Sequence, residues 1–288
     1  MKSETKRFSV IALHTHTECN LHCSFCYRTQ TKREDQYDFK FFEDLIPHLN
    51  KYTEQVSIGG GEPFYFPKEL IKLTKICEDN GLVANVTTNG TLLKDKTDSE
   101  LKQLLKHITL LSISMDKEKI KSSTDAIDYF DLVKRIKKLD LCQVGTNLLV
   151  SKDIDPKKLY IIVTGLLKEV DRVYALYPKN IIGPDITDKN MKLTYQLLTL
   201  SNEHFYVDDL GNSILRENKY SDWKNPCHFG KIISIDEVGN VKGCSFDTEP
   251  ILVLKKPKDI LKIDNITFKK RHDCPYVIDP TKQGDNKL

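Results

Sequence analysis

The chain has no apolar run long enough to cross a membrane and no large excess of charge of either sign. Its apolar stretches are short, as in Leu110 to Ile113, whereas a spanning helix needs about 20 apolar residues. Forty-four basic and 41 acidic residues leave a formal charge of +3, so charge alone indicates no polyanionic partner, and nucleic acid is not expected as one. No secretory apolar segment follows Met1, and we therefore expect a cytoplasmic protein.

Strand-like apolar runs alternate with helix-length periods through the first 200 residues. This alternation predicts a parallel sheet, and six steps are too few to close an eight-stranded barrel. The expected fold class is therefore α/β, an open partial (β/α)6 barrel. Pro47 should kink or shorten the first helix, and Thr97 and Glu100 form a capping box for a later one. The predicted strands are 8–13, 55–58, 82–88, 109–115, 142–150 and 171–176, and the predicted helices include 39–50, 124–138, 155–168 and 188–200.

The alternation ends at about residue 202. Short strand-like pieces replace helical periods there, and Asp236 to Asn240 has the composition of a hairpin turn between two of them. We predict two domains, a core barrel over 1–201 and a small appended domain over 202–288 that ends in a flexible tail. The appended domain contains the last three of the eight cysteines.

Cys19, Cys23 and Cys26 are concentrated in the run Cys-Asn-Leu-His-Cys-Ser-Phe-Cys-Tyr. Such clustering favours a metal site over a disulfide framework. The spacing suits a tight loop that wraps a cubane iron–sulfur cluster with three thiolates and leaves one iron free for chemistry. A zinc site completed by His16 or His22 is the alternative.

The run Gly59-Gly60-Gly61-Glu62-Pro63 begins 33 residues after Cys26, directly after an apolar stretch. Alone it is a common turn at the end of a strand. Together with the cysteine triplet it resembles the radical S-adenosylmethionine (radical SAM) enzymes. The cysteine loop, the glycine run, the Thr87-to-Gly90 turn and the Ser114-to-Asp116 segment all follow predicted strands, whose carboxyl ends share one edge of a parallel sheet.

The resemblance implies a [4Fe–4S] cluster on the three cysteines, with S-adenosylmethionine chelating the open iron. It further implies that the cofactor is bound by residues at the strand ends. Glycines permit close backbone approach, and Glu62 is a carboxylate available to the methionine ammonium. Each residue outside the glycine run also has a packing or turn-forming alternative, and Asn89 is interpreted as a turn residue. The implied cofactor-binding residues are Tyr27, Gly60, Gly61, Glu62, Ser114, Asp116 and Asn147.

Cys227, Cys244 and Cys274 form a second group. Eleven residues separate Cys227 from Gly239, and four separate Gly239 from Cys244. This pattern resembles the start of the SPASM and Twitch modules, which hold auxiliary clusters in the same superfamily, although the chain has fewer cysteines than either. The resemblance implies a second [4Fe–4S] cluster whose last iron binds His272, Asp273, solvent or substrate. Zinc and ordinary core cysteines are the alternatives.

The sequence therefore favours an oxidoreductase that cleaves S-adenosylmethionine reductively and abstracts hydrogen from a substrate. Modification of a ribosomally made peptide is favoured slightly. Oxidation or rearrangement of a small alcohol, sugar or nucleotide is the alternative, because no leader-binding domain precedes the predicted barrel. A flavodoxin or ferredoxin would supply electrons. An enzyme with only the first cluster and a non-catalytic protein with two zincs are the remaining hypotheses.

Overall fold

The computed structural model describes residues 6–28, 33–116, 119–150, 154–177, 188–200, 203–217, 219, 227–269, 271 and 274. Within them no helix is long and apolar enough to span a membrane. The strands are β1 Val10–His14, β2 Gln55–Gly59, β3 Val83–Thr88, β4 Leu110–Met115, β5 Gln143–Leu149, β6 Arg172–Leu176, β7 Phe205–Val207, β8 Ile232–Ile235, β9 Asn240–Lys242 and β10 Leu252–Val253. The helices are α1 Phe39–Leu49, α2 Pro67–Asp79, α3 Asp98–Leu105, α4 Ser123–Leu139, α5 Pro156–Glu169, α6 Asp188–Leu200 and α7 Asp209–Glu217, with 3₁₀ helices at Pro63–Tyr65 and Pro257–Asn265.

The chain divides into two compact units, each built from separate stretches of sequence. The first unit comprises Met1–Ile113, Lys134–Gln143 and Phe229–Lys270. The second comprises Ser114–Val133, Val144–His228 and Arg271–Leu288.

The first unit contains strands in the order β10-β9-β8-β1-β2-β3-β4. Strands β8, β1, β2, β3 and β4 are parallel neighbours, and β9 and β10 are antiparallel. Ile11 of β1 lies opposite Val56 on one side and Ile233 on the other, and all three are fully buried. Helix α1 turns four fully buried side chains inward, because its apolar residues recur at helical spacing. They are Phe42, Leu45, Ile46 and Leu49.

The second unit contains the parallel strands β5, β6 and β7. Val173 of β6 lies opposite Phe205 of β7, and both are buried. Helix α5 begins at Pro156, where the carboxylate of Asp155 caps two backbone N–H groups, and it buries Leu159 and Val163. The predicted α/β class with a mostly parallel sheet is confirmed.

Local sequence signals predicted most of these elements. The Thr97–Glu100 capping box is present in full at the start of α3, and Gly81 ends α2 with a φ of +69°. Helix α1 continues to Leu49 with Pro47 inside it. The predicted turn from Asp236 to Asn240 joins β8 to the antiparallel β9.

The range predicted as an appended domain contributes to both units. Residues 205–207 form β7, which adds a parallel strand beside β6, and α7 follows it. Residues 232–235 form β8, which pairs in parallel with β1. The rhythm of the sequence changes at residue 202, but the parallel pairing continues beyond it. A division at 201/202 with an auxiliary-cluster domain stays a prediction.

Candidate metal and cofactor site

The cysteine loop, defined here as residues 15–28, follows the carboxyl end of β1. Its first residue is fixed to the neighbouring strand, since Thr15 N donates to Gly59 O at 3.2 Å. Cys19 and Cys23 are half-buried and Cys26 is exposed. Two backbone N–H groups shape the loop: Leu21 N donates to Cys19 Sγ at 3.4 Å, and Cys26 N donates to Cys23 O at 3.1 Å. The three thiols therefore share one tight loop at the carboxyl edge of the sheet.

The glycine run packs directly on this loop. Gly61 N donates to His16 O and Glu62 N to Glu18 O, each at 2.8 Å. A Cβ atom on Gly61 would lie 1.7 Å from Glu18 O, and one on Gly60, whose φ is +134°, would lie 2.5 Å from His16 O. Glycine is required here because the two backbones touch. The expected close backbone approach exists, and its partner is the cysteine loop.

Glu62 joins the ends of β2 and β3. Its carboxylate is buried, and its Oε1 accepts from Thr88 Oγ1 at 2.6 Å and from Phe64 N at 3.1 Å. The other oxygen, Oε2, accepts from Asn89 N at 2.8 Å. These three donors fix the carboxylate beside the loop. Recognition of a methionine ammonium by Glu62 stays a prediction.

Asn89 contacts the cysteine loop through its side chain. Its Nδ2 lies 3.9 Å from Cys19 Sγ and 2.9 Å from Asn20 Oδ1, while its Oδ1 accepts from Thr91 N at 2.9 Å. The turn interpretation agrees with the φ of +78° at Gly90 but missed these contacts. The position of Asn89 after a strand that neighbours β2 was the signal that could have revealed them.

The environment of Cys19 disfavours its thiolate in the protein alone. Burial raises the pKa of the Cys19 thiol, and the nearby charges of Glu62 and Cys26 raise it further, whereas the Leu21 N–H and the Asn89 amide lower it. A bound cation reverses such an effect, because metal–thiolate bonding stabilises the deprotonated form. Cys77 on α2 is different in kind: burial raises the pKa of this core thiol to about 12.

The residues of the loop fit an iron–sulfur cluster by their chemistry. Three thiols lie within eight residues, and each is at least partly accessible. Across the described ranges, no three Cys, His, Asp or Glu side chains lie in an arrangement that could hold a metal ion. The fit therefore rests on the donor set and on the backbone contacts of the loop.

Tyr27 makes an aromatic contact with Phe246, which follows strand β9. Its ring is 41% exposed and its centroid lies 4.3 Å from that of Phe246. Tyr27 thus contacts Phe246 while much of its surface stays exposed. Its contact with an adenine ring stays a prediction.

The other three predicted cofactor residues belong to the second unit. Ser114 is half-buried near the end of β4, and Asn147 is half-buried on β5 opposite Tyr174. Asp116 is buried, and its carboxylate accepts from Lys119 Nζ at 2.6 Å and Lys119 N at 3.1 Å. The turn-forming alternative is therefore present for Asp116. Cofactor binding by these residues stays a prediction.

The second cysteine group is divided between the units. Cys244 lies in the first unit, shortly after β9, and Cys227 and Cys274 lie in the second. Within the second unit, helix α7 contacts the backbone next to Cys227 and that of Cys274. Asp209 accepts from His228 N at 2.6 Å, and Ser213 Oγ accepts from Cys274 N at 3.0 Å. His272 and Asp273 lie outside the described residues.

The comparison with family models identifies the chain. The model described as the radical SAM superfamily matches residues 14–159, which include the cysteine loop, the glycine run and Asn89. The chain belongs to the radical SAM superfamily, a superfamily of enzymes. The predicted resemblance to radical SAM enzymes is confirmed, and the family implies a [4Fe–4S] cluster and S-adenosylmethionine. The resemblance of the C-terminal range to SPASM and Twitch modules stays a prediction.

Two curated relatives and one solved structure illustrate the similarity. An uncharacterized protein of Methanocaldococcus jannaschii is 30% identical over 220 residues, which cover 66% of this chain and 47% of the relative. GTP 3',8-cyclase 1 of Mycobacterium tuberculosis is 29% identical over 130 residues, covering 42% and 36%. Streptococcus suis SuiB bound to S-adenosylmethionine superposes with a TM-score of 0.66 at 18% identity, covering 94% of this chain and 67% of SuiB. The chain thus spans less than half the length of these curated relatives, and the SuiB likeness shows the fold.

Proposed function

We propose that the chain is a radical SAM enzyme that holds a [4Fe–4S] cluster on Cys19, Cys23 and Cys26 and cleaves S-adenosylmethionine reductively. The observation that carries this proposal is the packing of the cysteine loop on the glycine run, with Gly61 N and Glu62 N bonded to loop carbonyls. When bound, the cluster supplies the electron that cleaves the sulfonium, giving a 5′-deoxyadenosyl radical for hydrogen abstraction.

The protein residues prepare this site by fixing positions before any cofactor binds. Glu62 is a buried carboxylate oriented by three donors, so it would meet an ammonium group without reorganisation. Asn89 fixes the Cys19 sulfur relative to β3, and Gly61 leaves the loop no space to move inward. Preorganisation of this kind reduces the cost of ordering a ligand.

We favour a peptide as the substrate. The supporting observation is that the SuiB fold extends over 94% of this chain, and that protein is also known in complex with its precursor peptide SuiA. A nucleotide is the second candidate, because GTP 3',8-cyclase 1 is 29% identical over 42% of the chain. Reduction by a flavodoxin or ferredoxin in the cytoplasm is part of the same proposal.

A second cluster on Cys227, Cys244 and Cys274 is proposed from their spacing alone. The hydrogen bonds from α7 give Cys274 and the residue after Cys227 defined positions in the second unit. Total iron separates this proposal from its alternatives: about eight irons per chain are expected with two clusters and about four with one. Two zincs and a colourless protein would instead support the non-catalytic hypothesis.

The decisive experiment measures 5′-deoxyadenosine. Anaerobically reconstituted protein is reduced with dithionite and mixed with S-adenosylmethionine, and the product is quantified by chromatography. We expect product from the unmodified protein and from Cys142→Ala, a cysteine directly before β5 and outside both groups, but none from Cys26→Ala. Absence of product from the fully iron-loaded, unmodified protein would refute the proposed activity.

The substrate class is tested in the same assay. GTP is added in one series, and short peptides encoded beside the gene for this protein are added in another. Faster 5′-deoxyadenosine formation and a mass change in the peptide would support the peptide proposal. Stimulation by GTP alone would replace it with the nucleotide candidate.

A further inference from the structure

The cysteine loop ends in a buried charge cluster that involves the β8–β9 hairpin. Arg28 lies two residues after Cys26, and its side chain is only 12% exposed. Its Nη2 donates to Glu237 Oε2 in a short contact. The two residues are 209 positions apart in the sequence, so this contact depends on the pairing of β8 with β1.

Glu237 is suited to bind this guanidinium tightly. Its side chain is 4% exposed, and its second oxygen, Oε1, lies 3.4 Å from Arg33 Nη1. Its backbone carbonyl accepts from Tyr37 N at 2.8 Å. A carboxylate buried to this extent needs compensating positive charge, which Arg28 and Arg33 supply. Glu237 therefore contacts residues on both sides of residues 29–32.

His14 is the third member of the cluster. Arg28 Nη1 lies 2.7 Å from His14 Nδ1, and because a guanidinium can only donate, this nitrogen must be unprotonated. Burial lowers the pKa of His14 well below its usual value, and the charges of Arg28 and Lys242 lower it further. Arg28 thus bridges the end of β1 and the hairpin, with the cysteines in the loop between these points.

The hairpin is itself well fixed. Asp236 accepts from Asn240 N at 2.9 Å and from Val238 N at 3.2 Å, which closes the turn. Leu254 O accepts from Tyr37 OH at 2.9 Å, and Leu254 N donates to Gly239 O at 2.8 Å. The cations paired with Glu237 are Arg28 and Arg33, while Lys242 pairs with the neighbouring Asp236 at 3.4 Å. The turn that carries Glu237 therefore has little freedom to follow a displaced loop.

We propose that Glu237 is a positioning residue that fixes the C-terminal end of the cysteine loop through Arg28. Phe246 supports the same end by packing on Tyr27, the residue between Cys26 and Arg28. The hairpin thereby sets where Cys26 lies relative to β1 and β2. Its consequence for S-adenosylmethionine binding rests on the proposed function, but the effect on the loop does not.

The first test uses metal-free protein and measures hydrogen exchange of the peptide that covers residues 15–28. Glu237→Gln should accelerate exchange in this peptide about tenfold, because opening no longer breaks an ion pair. Glu43→Gln is the matched control: Glu43 is also buried and paired, with Lys72 at 2.8 Å, but it lies on α1 outside the loop. Equal exchange in Glu237→Gln and the unmodified protein would overturn the proposal.

Arg28→Gln keeps the test decisive if Glu237→Gln folds poorly, and a double-mutant cycle is added where both variants fold. Arg28→Gln removes the pair from the loop side, where Arg33 still neutralises Glu237. We expect Arg28→Gln to accelerate hydrogen exchange in the loop as well. Exchange in the double variant should be little faster than in either single variant, because both changes remove the same interaction. Independent, multiplying effects of the two changes would show that they do not act through each other.

The second test uses reconstituted protein. Glu237→Gln should retain its iron but bind S-adenosylmethionine about tenfold more weakly. It should also show a changed electron paramagnetic resonance signal of the reduced cluster when the cofactor is added. If the unmodified protein forms no 5′-deoxyadenosine while loop exchange still depends on Glu237, the proposed function fails and the positioning role stands. If 5′-deoxyadenosine forms but loop exchange does not depend on Glu237, the positioning role is refuted and the proposed function stands.

Discussion

The two cysteine groups are organised by different means. The first lies within eight residues of one loop, and its supports are the ends of two neighbouring strands, with Gly61 and Glu62 bonded to the loop backbone. The second extends from Cys227 to Cys274: Cys244 follows β9 in one unit, and Cys227 and Cys274 belong to the other, where α7 accepts hydrogen bonds from His228 N and Cys274 N. Local chain geometry defines the first group, whereas tertiary structure must define the second.

This difference has a physical consequence for stability and metal binding. A short loop loses little entropy on closing around a ligand, so three thiols in one loop act almost as one ligand. Thiols separated by tens of residues depend on the folding of the intervening segments. We therefore expect the first group to be the more tolerant of distant changes and the less tolerant of changes in its own backbone.

The largest effect should come from removing each group entirely. Alanine at Cys19, Cys23 and Cys26 should abolish 5′-deoxyadenosine formation and remove about four irons per chain. Alanine at Cys227, Cys244 and Cys274 should remove a similar amount of iron but leave the first cluster able to cleave S-adenosylmethionine. Iron analysis and the product assay measure both. If the iron content of the second variant is unchanged, these three cysteines hold no cluster and the protein has only the first one.

A single methyl group at Gly61 should have the next largest effect. Gly61→Ala places Cβ 1.7 Å from Glu18 O, so the loop and the glycine run must separate. We expect a loss of about 3 kcal/mol or more in the free energy of unfolding, measured by denaturant titration. Gly165→Ala, on α5, is the control. Its added Cβ would lie 3.6 Å from the nearest atom, so this substitution should leave the free energy of unfolding unchanged or increase it. Equal stability of the two variants would contradict the contact between the backbones.

The pH dependence of stability should reflect the protonation of His16, a buried residue in the cysteine loop. Burial lowers the pKa of His16 to about 4, because it lies between Phe39 and Phe66. Between pH 6.5 and pH 4 the unfolded chain binds a proton that folded His16 does not. The contribution of neutral His16 to the free energy of unfolding is therefore fully present above pH 6.5. It is lost as the pH falls toward 4, by about 3 kcal/mol in total.

This pH effect is isolated by comparing variants. Metal-free His16→Phe should lose less stability between pH 6.5 and pH 4 than the unmodified protein, as followed by melting temperature. The comparison is needed because His14 also has a lowered pKa and contributes in the same direction. Parallel pH profiles for the two proteins would show that His16 takes up its proton at the same pH in the folded and the unfolded chain.

The smallest effect concerns the second group. Ser213→Ala removes the acceptor for Cys274 N and should cost about 1 kcal/mol locally. Modification of the buried Cys274 by a thiol reagent should then be about fivefold faster in metal-free protein, as located by peptide mass mapping. Thr199→Ala, on an exposed part of α6 in the same unit, is the control. If Cys274 reacts equally fast in both variants, α7 does not fix this cysteine.

Much of the fold could be predicted because it follows from local signals. Alternating apolar periods predicted the strands and helices up to α6, and capping residues placed the start of α3. Strand β7 and helix α7 were missed, since β7 has three residues and α7 contains Gly211. A strand this short has no measurable periodicity, and only its pairing with β6 defines it.

The candidate site was predictable in its chemistry but not in its connections. The spacing of the first cysteines and the position of the glycines identified the family. Glu62 was expected to meet a ligand, yet the structure also bonds it to Thr88 and Asn89, which depends on the register of β2 and β3. The pair Arg28–Glu237 had no local signal at all, because 209 positions separate its members.

The pairing of β8 with β1 has a consequence during protein synthesis. β1 precedes β8 by more than 200 residues, so it has a parallel neighbour on only one side until residues 232–235 emerge from the ribosome. Glu237 emerges just after them. Until they emerge, the nascent cysteine segment therefore lacks the ion pair between Arg28 and Glu237 that the folded protein contains.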